Sequence, residues 1–431
     1  MSAEASTLSG SYERWRVGEG GTSELNDMDW YYYIAAIVIL LQFVFLGQMY
    51  SNFRYALKKY RKERSGYRPK TVVIVPCKGL DSAFSENISS LFNQDYDNYL
   101  LWFVVADKSD PAYAKLCELK EKLAAGSRAG EVQILVAGGA KSCGQKVHNL
   151  LYCYEKIGED IEVLAFADSD VCMRSNWLSH LVYPLRQDKT GVASGYRWFI
   201  PKENNPASLA LSAINAKVAQ FLGNSRFNQA WGGSMAVRVD VFRRLGIDNI
   251  WRTALSDDLS LSYAVKKAGL KVVFVPACMV ASYESTSWGG LFEFGKRQFL
   301  ITRVSYPRTW WFGLIAALFS VLGLWGTLGM AVYASAAGFN NLRFFFAVPV
   351  VFFLAQMGRA VLRQKMIMQL LKEASSAMQA AYWADILFFW IWSLLLLGII
   401  ISSAFGRTIR WRGIWYKLLG PTEAVVVDDK Q

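Results

Sequence analysis

Histidine is almost absent: His148 and His180 are the only two in 431 residues, which excludes histidine-rich metal sites and a two-histidine proton relay. The six cysteines, Cys77, Cys117, Cys143, Cys153, Cys172 and Cys278, show no C-x-x-C and no paired spacing. Neither a zinc cluster nor a disulfide framework is expected, and their scatter suits a reducing compartment. Charge is also low, at 19% of residues against 53% hydrophobic, so the chain is too apolar to be disordered. A mean hydropathy of +0.17 lies above that of an ordinary soluble enzyme and below that of an all-helical transporter. A water-soluble domain tied to a bilayer is implied.

What charge there is has a sign and a place. The net +12 collects beside apolar segments, at Arg54, Lys58, Lys59, Arg61, Lys62, Arg64, Arg68 and Lys70, and again at Arg407, Arg410, Arg412 and Lys417. Lipid headgroups, rather than nucleic acid, are the expected counter-surface. Tyr31 to Met49 carries no charge, and nineteen helical residues at about 1.5 Å each reach roughly 28 Å, a hydrocarbon thickness. The acidic flank before it (Glu4, Glu13, Glu19, Glu24, Asp27 and Asp29 against Arg14 and Arg16) and the basic flank after it predict an outer N-terminus and a cytoplasmic middle domain. Trp30, Tyr31, Tyr32 and Tyr33 are expected to form the outer aromatic belt.

Three more apolar blocks follow: Trp310 to Ala334, a short one from Phe344 to Met357, and Ile386 to Phe405. The short block suits either a crossing or a re-entrant segment. Four full crossings would leave the basic tail outside, against the positive-inside rule, so either one block does not cross or the rule is broken. The expected organisation is an acidic outer tail (1–30), a transmembrane helix (31–50), a basic linker (51–70) and a cytoplasmic catalytic domain (71–285). An interfacial segment (286–310), membrane helices making two or three crossings (311–405) and a basic tail (406–431) complete it.

Between Thr71 and Tyr283, short β-branched runs alternate with helical stretches, the pattern of a doubly wound, Rossmann-like α/β sheet. Strands are predicted at Thr71–Val75, Leu101–Ala106, Gln133–Val136, Val163–Ala167 and Val272–Val275. Helices are predicted at Ser85–Leu91, Pro111–Ala124, Lys146–Lys156 and Asp258–Ala268. Ligands collect at the carboxyl ends of such strands. Those ends carry Lys78, Asp107 and the triplet Asp168-Ser169-Asp170. A solvated turn explains any one of them, but three together point to a shared crevice. Two carboxylates held side by side repel one another unless a cation neutralises them, and hard divalent ions take carboxylate and phosphate oxygens together. Asp168 and Asp170 are therefore the expected holders of Mg²⁺ or Mn²⁺ and a diphosphate. Asp257-Asp258 opens an apolar-periodic stretch, where a helix-capping role competes with that of a general base. Lys146 opens a helix after a glycine-bearing loop, where it suits a phosphate as well as an ordinary surface position.

Taken in order, Val75-Pro76-Cys77-Lys78-Gly79-Leu80-Asp81, Asn93-Gln94-Asp95-Tyr96, Val105-Ala106-Asp107-Lys108-Ser109-Asp110-Pro111, Gly138-Gly139-Ala140-Lys141 and Lys146-Val147-His148-Asn149-Leu150 form a set. Asp168-Ser169-Asp170, Gly232-Gly233-Ser234-Met235-Ala236-Val237-Arg238 and Leu255-Ser256-Asp257-Asp258 complete it. The set resembles membrane-bound inverting glycosyltransferases of the GT-A fold (the family 2 and 21 type), most closely the ceramide glucosyltransferase group. The resemblance implies a mixed GT-A sheet with transmembrane and interfacial helices. It implies transfer of a hexose, glucose from UDP-glucose being the expected case, to a lipid hydroxyl such as that of ceramide. Lys78, Asp107, Lys146 and Asp168 would then bind the nucleotide-sugar, Asp107 at its base, with Asp168 and Asp170 on the metal. Asp258 would be the catalytic base, and Gly232, Gly233, Asp257, Arg297 and Gln298 the acceptor side or gate.

One family element departs. Arg297 keeps the first position of the Arg/Gln-x-x-Arg-Trp pattern, but Leu300-Ile301 stands where Arg-Trp is expected, which argues against a processive polysaccharide synthase and for a more lipid-like acceptor surface. The aromatic and basic stretch from Trp288 to Trp311 suits a helix in the membrane interface, either as an anchor for the next span or as an acceptor gate. Transfer to polyprenyl phosphate or a polysaccharide, and a catalytically silent nucleotide-sugar-binding scaffold, are the alternative readings.

Overall fold

A computed structural model describes residues 29–62, 64, 66–81, 83–411 and 414–427. The acidic N-terminal tail, apart from its last two positions, and Arg412 of the tail cluster lie outside the described residues.

The first helix, α1 (Asp29–Tyr60), leads into a seven-stranded sheet of order β3-β2-β1-β4-β6-β5-β7. The strands are β1 (Thr71–Pro76), β2 (Tyr99–Val105), β3 (Glu131–Val136), β4 (Val163–Ala167), β5 (Thr190–Pro201), β6 (Ser234–Arg238) and β7 (Lys271–Glu284). The first four are parallel to one another, and β6 runs against both β4 and β5, so the sheet is mixed. The central strands are apolar on both faces because each face is covered: Val73 and Val75 pack into one core, Val72 and Ile74 into the other. Among the covering helices are α2 (Pro111–Leu123), α3 (Gln145–Tyr154), α4 (Pro206–Ala219) and α5 (Asp257–Lys267). The predicted elements fall within a few residues of these, except that β5 and β6 were not expected and β7 is much longer than Val272–Val275.

At the middle of β5 the strand slips register against β7 between Ser194 and Tyr196. Gly195 sits at that slip, and a Cβ there would overlap the Cys278 carbonyl oxygen and lie 2.6 Å from Ser234 Oγ. Since neither neighbour can retreat without breaking the sheet, Gly195→Ala should lower stability by about 1–3 kcal/mol, read as an earlier thermal transition of the detergent-solubilised protein. An unchanged transition would mean that the strands part more easily than their pairing suggests.

After β7 come α6 (Trp288–Ser305), α7 (Pro307–Ala336), α8 (Leu342–Leu370) and α9 (Gln379–Ser402). Among the described residues four helices, α1, α7, α8 and α9, are long and apolar enough to cross a membrane. Helix α8 continues well past Met357, where hydropathy alone ended the short block, and it carries Pro349 inside it. Two of the four, α1 and α8, run between two common ends, and α7 joins them at one. At one end Tyr31 and Ala35 of α1 meet Ala331 and Ala334 of α7 and Phe345 and Val348 of α8. At the other, Met49 and Ala56 of α1 and Met366 and Leu370 of α8 pack with Trp198 and Ile200 of the sheet. The expected aromatic belt is thus divided: Trp30 and Tyr33 are exposed, whereas Tyr31 is buried and stacks on Phe345 at 5.0 Å.

Helix α9 differs from these three. Met378, just before it, is buried with Met366 and Leu370 at the catalytic end. Near its other end Ile399 packs with Leu291 of α6 and Ile400 with Trp310, again beside the catalytic domain. The helix is kinked at Phe388, where φ is −114° and ψ 20°. Its entry is fixed by Arg363 of α8, whose Nε donates to Asp385 Oδ2 at 2.6 Å and which pairs with Oδ1 at 2.5 Å.

The basic tail was given no secondary structure from the sequence, but residues beyond α9 form a three-stranded antiparallel sheet: β8 (Thr408–Trp411), β9 (Ile414–Gly420) and β10 (Glu423–Val427). It docks on the catalytic domain. Ile409, Tyr416, Leu418 and Ala424 pack with Leu255, Leu300 and Ile301, and Ala424 N–H donates to the Thr253 carbonyl at 2.9 Å.

Candidate active site

Strands β1 and β4 are parallel neighbours, so their carboxyl ends open side by side, β1 into Cys77-Lys78 and β4 into Asp168-Ser169-Asp170. Strand β6 runs the other way, and the turn that feeds it, Trp231-Gly232-Gly233, therefore faces Asp168, whose N–H donates to the Gly233 carbonyl at 3.4 Å. Two helix starts close the ring. Ser256 caps α5, presenting Asp257 and Asp258 in its first turn, and α3 presents Lys146.

Lys146 is the hub. Its Nζ lies 2.7 Å from Asp168 Oδ1 and 3.1 Å from Asp257 Oδ2, while Arg197 of β5 reaches Asp168 Oδ2 at 3.4 Å. Burial works against the Lys146 charge, but the carboxylates of Asp168, Asp257 and Asp258 outweigh it and hold the ammonium protonated. Both glycines are demanded by this convergence. A Cβ at Gly232 would stand 2.7 Å from Lys146 Nζ, and one at Gly233 2.6 Å from Asp168 Oδ2.

Asp258 is held from two sides. Its Oδ1 accepts from Leu259 N–H at 2.7 Å and from the Ser256 hydroxyl, and its Oδ2 accepts from Gly232 N–H at 3.0 Å. The capping contact and an oriented carboxylate therefore coexist. Asp257 is buried, and desolvation, with Asp258 and Asp168 adding to it against the pull of Lys146, pushes its carboxyl up to about 6. Desolvation and the neighbouring Asp168 also raise Asp170 above the usual carboxylate range.

The raised Asp257 carries a pH expectation. It binds a proton as pH falls through about 6, which removes one of the carboxylates facing Lys146. Activity should therefore decline on the acid side with a limb near pH 6, and that limb should vanish in Asp257→Asn. A limb that persists unchanged in the variant would assign the titration to another group.

A cavity of about 800 Å³ opens from this ring. Lys78, Lys146, Asp168, Asp170, Gly232, Asp257, Asp258, Arg297 and Gln298 all line it. Asp107 is exposed at the end of β2, outside that wall, where its carboxylate accepts from Ser109 N–H at 2.7 Å and is held below its ordinary range by that bond. His148 Nε2 lies 3.0 Å from the Ala137 carbonyl oxygen, as a packing residue would.

Whether the carboxylates suit a divalent cation can be judged from their unmet bonds. Asp170 Oδ1 is buried without a hydrogen-bond partner, next to Asp168. Among the described residues no third His, Cys, Asp or Glu completes a protein cage. Two carboxylates with the remaining positions left to phosphate oxygens and water are the arrangement a magnesium-type ion accepts, so the pair fits it.

The family model for glycosyl transferase family 21 matches residues 37–424, nearly the whole of the described chain. The chain belongs to glycosyltransferase family 21. The mixed seven-stranded sheet and the long apolar helices accord with that membership. Among solved structures it is similar to the mannosyltransferase PcManGT from Pyrobaculum calidifontis in complex with GDP-Man and Mn²⁺, with 15% identity, 86% of this chain and 97% of that chain covered, and a TM-score of 0.41. A crystal structure of GalNAc-T7 with UDP, GalNAc and Mn²⁺ is similar at 13% identity over 58% of this chain and 51% of that one, with a TM-score of 0.37.

The crevice of this family 21 glycosyltransferase also holds residues that sequence reading passed over. Arg197 stands over the Trp231 ring at 4.9 Å as well as beside Asp168. Because β5 was not recognised, nothing marked Arg197 as reaching the crevice. The Leu300-Ile301 departure also finds its place: both side chains are buried under the C-terminal sheet, and Trp411 and Tyr416 of that sheet line the cavity. An aromatic wall is supplied from a distant segment of chain.

Proposed function

We propose that this glycosyltransferase moves a hexose from a nucleoside-diphosphate sugar, UDP-glucose being the expected donor, to a hydroxyl of a membrane lipid, with inversion. One observation carries the reading. The cavity that begins at Asp168, Asp170 and Asp258 continues without a break between membrane helices, where Phe312 and Ala316 of α7 and Leu396 and Ile400 of α9 line it. A water-soluble donor and an apolar acceptor thus have routes to the same carboxylates.

In this mechanism the diphosphate lies against Lys146 and Lys78, with Asp107 on the open lip toward the nucleotide base. Asp168 and Asp170 would hold Mg²⁺ or Mn²⁺, which would supply positive charge to the leaving diphosphate. Asp258 accepts the proton of the lipid hydroxyl as its oxygen attacks the anomeric carbon from the face opposite the diphosphate. The bond from that carbon to the diphosphate oxygen breaks, and its electron pair leaves with the nucleotide. Arg297 and Gln298 on α6 and the Gly232–Gly233 turn frame the acceptor side.

Membrane placement follows the same logic. With α1, α7 and α8 crossing and α9 returning to its starting side, three crossings put the catalytic domain and the basic tail together in the cytoplasm, and the positive-inside rule is kept. Purified protein incubated with a panel of nucleotide-sugars and total membrane lipid should yield a glycosylated lipid by mass spectrometry. Donor hydrolysis without any lipid product would defeat the reading.

A further inference from the structure

A second hollow, of about 260 Å³, shares no lining residue with the cavity around the carboxylates. Tyr60, Arg61 and Lys62 line it from the end of α1, Arg174 and Asn176 from the loop after β4, and His180 from the helical turn Trp177–Val182. Arg174 is already matched, with Nε 2.8 Å and Nη2 2.7 Å from Glu373 Oε1, and its guanidinium lies over the Tyr60 ring at 5.5 Å. The other cations are not matched in this way. Residues 58–64 hold five basic side chains and one acid, and among the described residues no carboxylate pairs with Arg61, Lys62, Arg64 or Arg186. Arg64 and Arg186 crowd one ring, that of Tyr183, at 4.8 and 3.8 Å, and Arg64 Nε is buried without a hydrogen-bond partner. His180 is buried as well, and its Nδ1 also lacks a partner. Burial, then Arg64 and Arg174, pull its imidazole down to about 4, so it brings a hydrogen bond and no charge. Guanidiniums cannot shed a proton to relieve such crowding, which leaves a bound anion to do it.

We infer that this hollow binds a dianionic phosphate group, with Arg61 and Lys62 as its charged ligands and His180 and Asn176 as hydrogen-bonding ones. A terminal phosphate carries nearly two charges at neutral pH and three acceptor oxygens, which suits several converging cations; a singly charged diester would leave them in excess. Height limits the source. Tyr60 lies eleven residues past Met49, where the uncharged run of α1 ends, and so about 16 Å further along the helix. A headgroup layer of roughly 5–8 Å does not reach that far, so an ordinary phospholipid diester falls short. The phosphate therefore comes either on a tall headgroup, such as a phosphorylated inositol, or free in solution. Its role is that of a bound anion and not of a substrate, since the hollow contains none of the reaction-centre residues.

The test uses the full chain in phosphatidylcholine nanodiscs. In one arm the discs also carry phosphatidylinositol 4-phosphate or phosphatidylglycerol, and retained lipid is weighed by native mass spectrometry. In the other, inorganic phosphate is titrated and its binding read by phosphorus-31 saturation-transfer NMR. Retention of phosphatidylinositol 4-phosphate about tenfold or more over phosphatidylglycerol places the phosphate on a headgroup, and saturable binding of inorganic phosphate places it in solution. Arg61→Gln/Lys62→Gln should weaken that binding about tenfold or more, while Arg61→Lys/Lys62→Arg keeps it. Both positions are exposed, so the fold is not at stake. Arg54→Gln/Lys58→Gln removes the same charge from α1 outside the hollow and should leave binding within about twofold. Equal losses in the two Gln doubles would mean diffuse attraction to a basic linker and would overturn the inference. So would the absence of binding in both arms, or phosphatidylglycerol retained as well as phosphatidylinositol 4-phosphate while free phosphate fails to bind. None of these outcomes touches glycosyl transfer, which rests on the other cavity.

Discussion

Asp258→Asn should lower kcat by about 10² to 10⁴ and leave the Kd for the nucleotide-sugar nearly unchanged. Asn keeps the shape of the side chain, and its single amide oxygen can keep one of the two backbone contacts, that from Leu259 N–H at 2.7 Å or that from Gly232 N–H at 3.0 Å, while the proton acceptor is lost. The split between kcat and donor binding separates this from mere disruption of the α5 cap, which would impair both. Should the variant turn over at the wild-type rate, the acceptor must already be anionic at its attacking atom, as in a polyprenyl phosphate, and the base assignment falls.

The second large effect is expected at Asp170. Its Oδ1 is buried and lacks a donor, and its carboxyl is held above the usual range by desolvation and by Asp168, so in isolation the group is poorly placed. Asp170→Ala should raise the Mn²⁺ or Mg²⁺ concentration needed for half-maximal nucleotide binding by roughly tenfold or more. Asp168 retains its contacts with Lys146 and Arg197, so the fold around it should persist. Calorimetric titration of metal in the presence of UDP measures this directly; an identical titration in the variant would place any cation elsewhere.

Strand and helix assignments in the first half of the catalytic domain were legible because β-branched runs bounded by polar turns leave little choice. Strand β5 was not, since its Ser194-Gly195-Tyr196-Arg197 mixes small, polar and charged residues at the very place where the pairing slips. Three of the site carboxylates, Asp168, Asp170 and Asp258, were read from strand and helix ends and do line one cavity. Asp107 was read by the same rule, yet the exposed turn after β2 holds it outside that wall. Hydropathy cut α8 short at Met357 because it counts Arg359 and Arg363 as soluble; the helix persists because one of them meets Asp385 and the other lies over Phe45. The tail was read by its charge and by the likeness of Arg410-Trp411-Arg412-Gly413, close to Tyr416, to a family tail motif, and not for its strands. Alternation along β9, with Tyr416 and Leu418 buried and Lys417 exposed between them, is the period-2 signal that reveals its strand.

The small C-terminal sheet has a consequence for how the enzyme is made. Residues 408–427 leave the ribosome after every membrane helix, yet Trp411 and Tyr416 complete the wall around the reaction centre. Until they do, the cavity that holds Asp168, Asp170 and Asp258 lacks the side these two aromatic residues form. That side is closed only where those strands pack on Leu300 and Ile301.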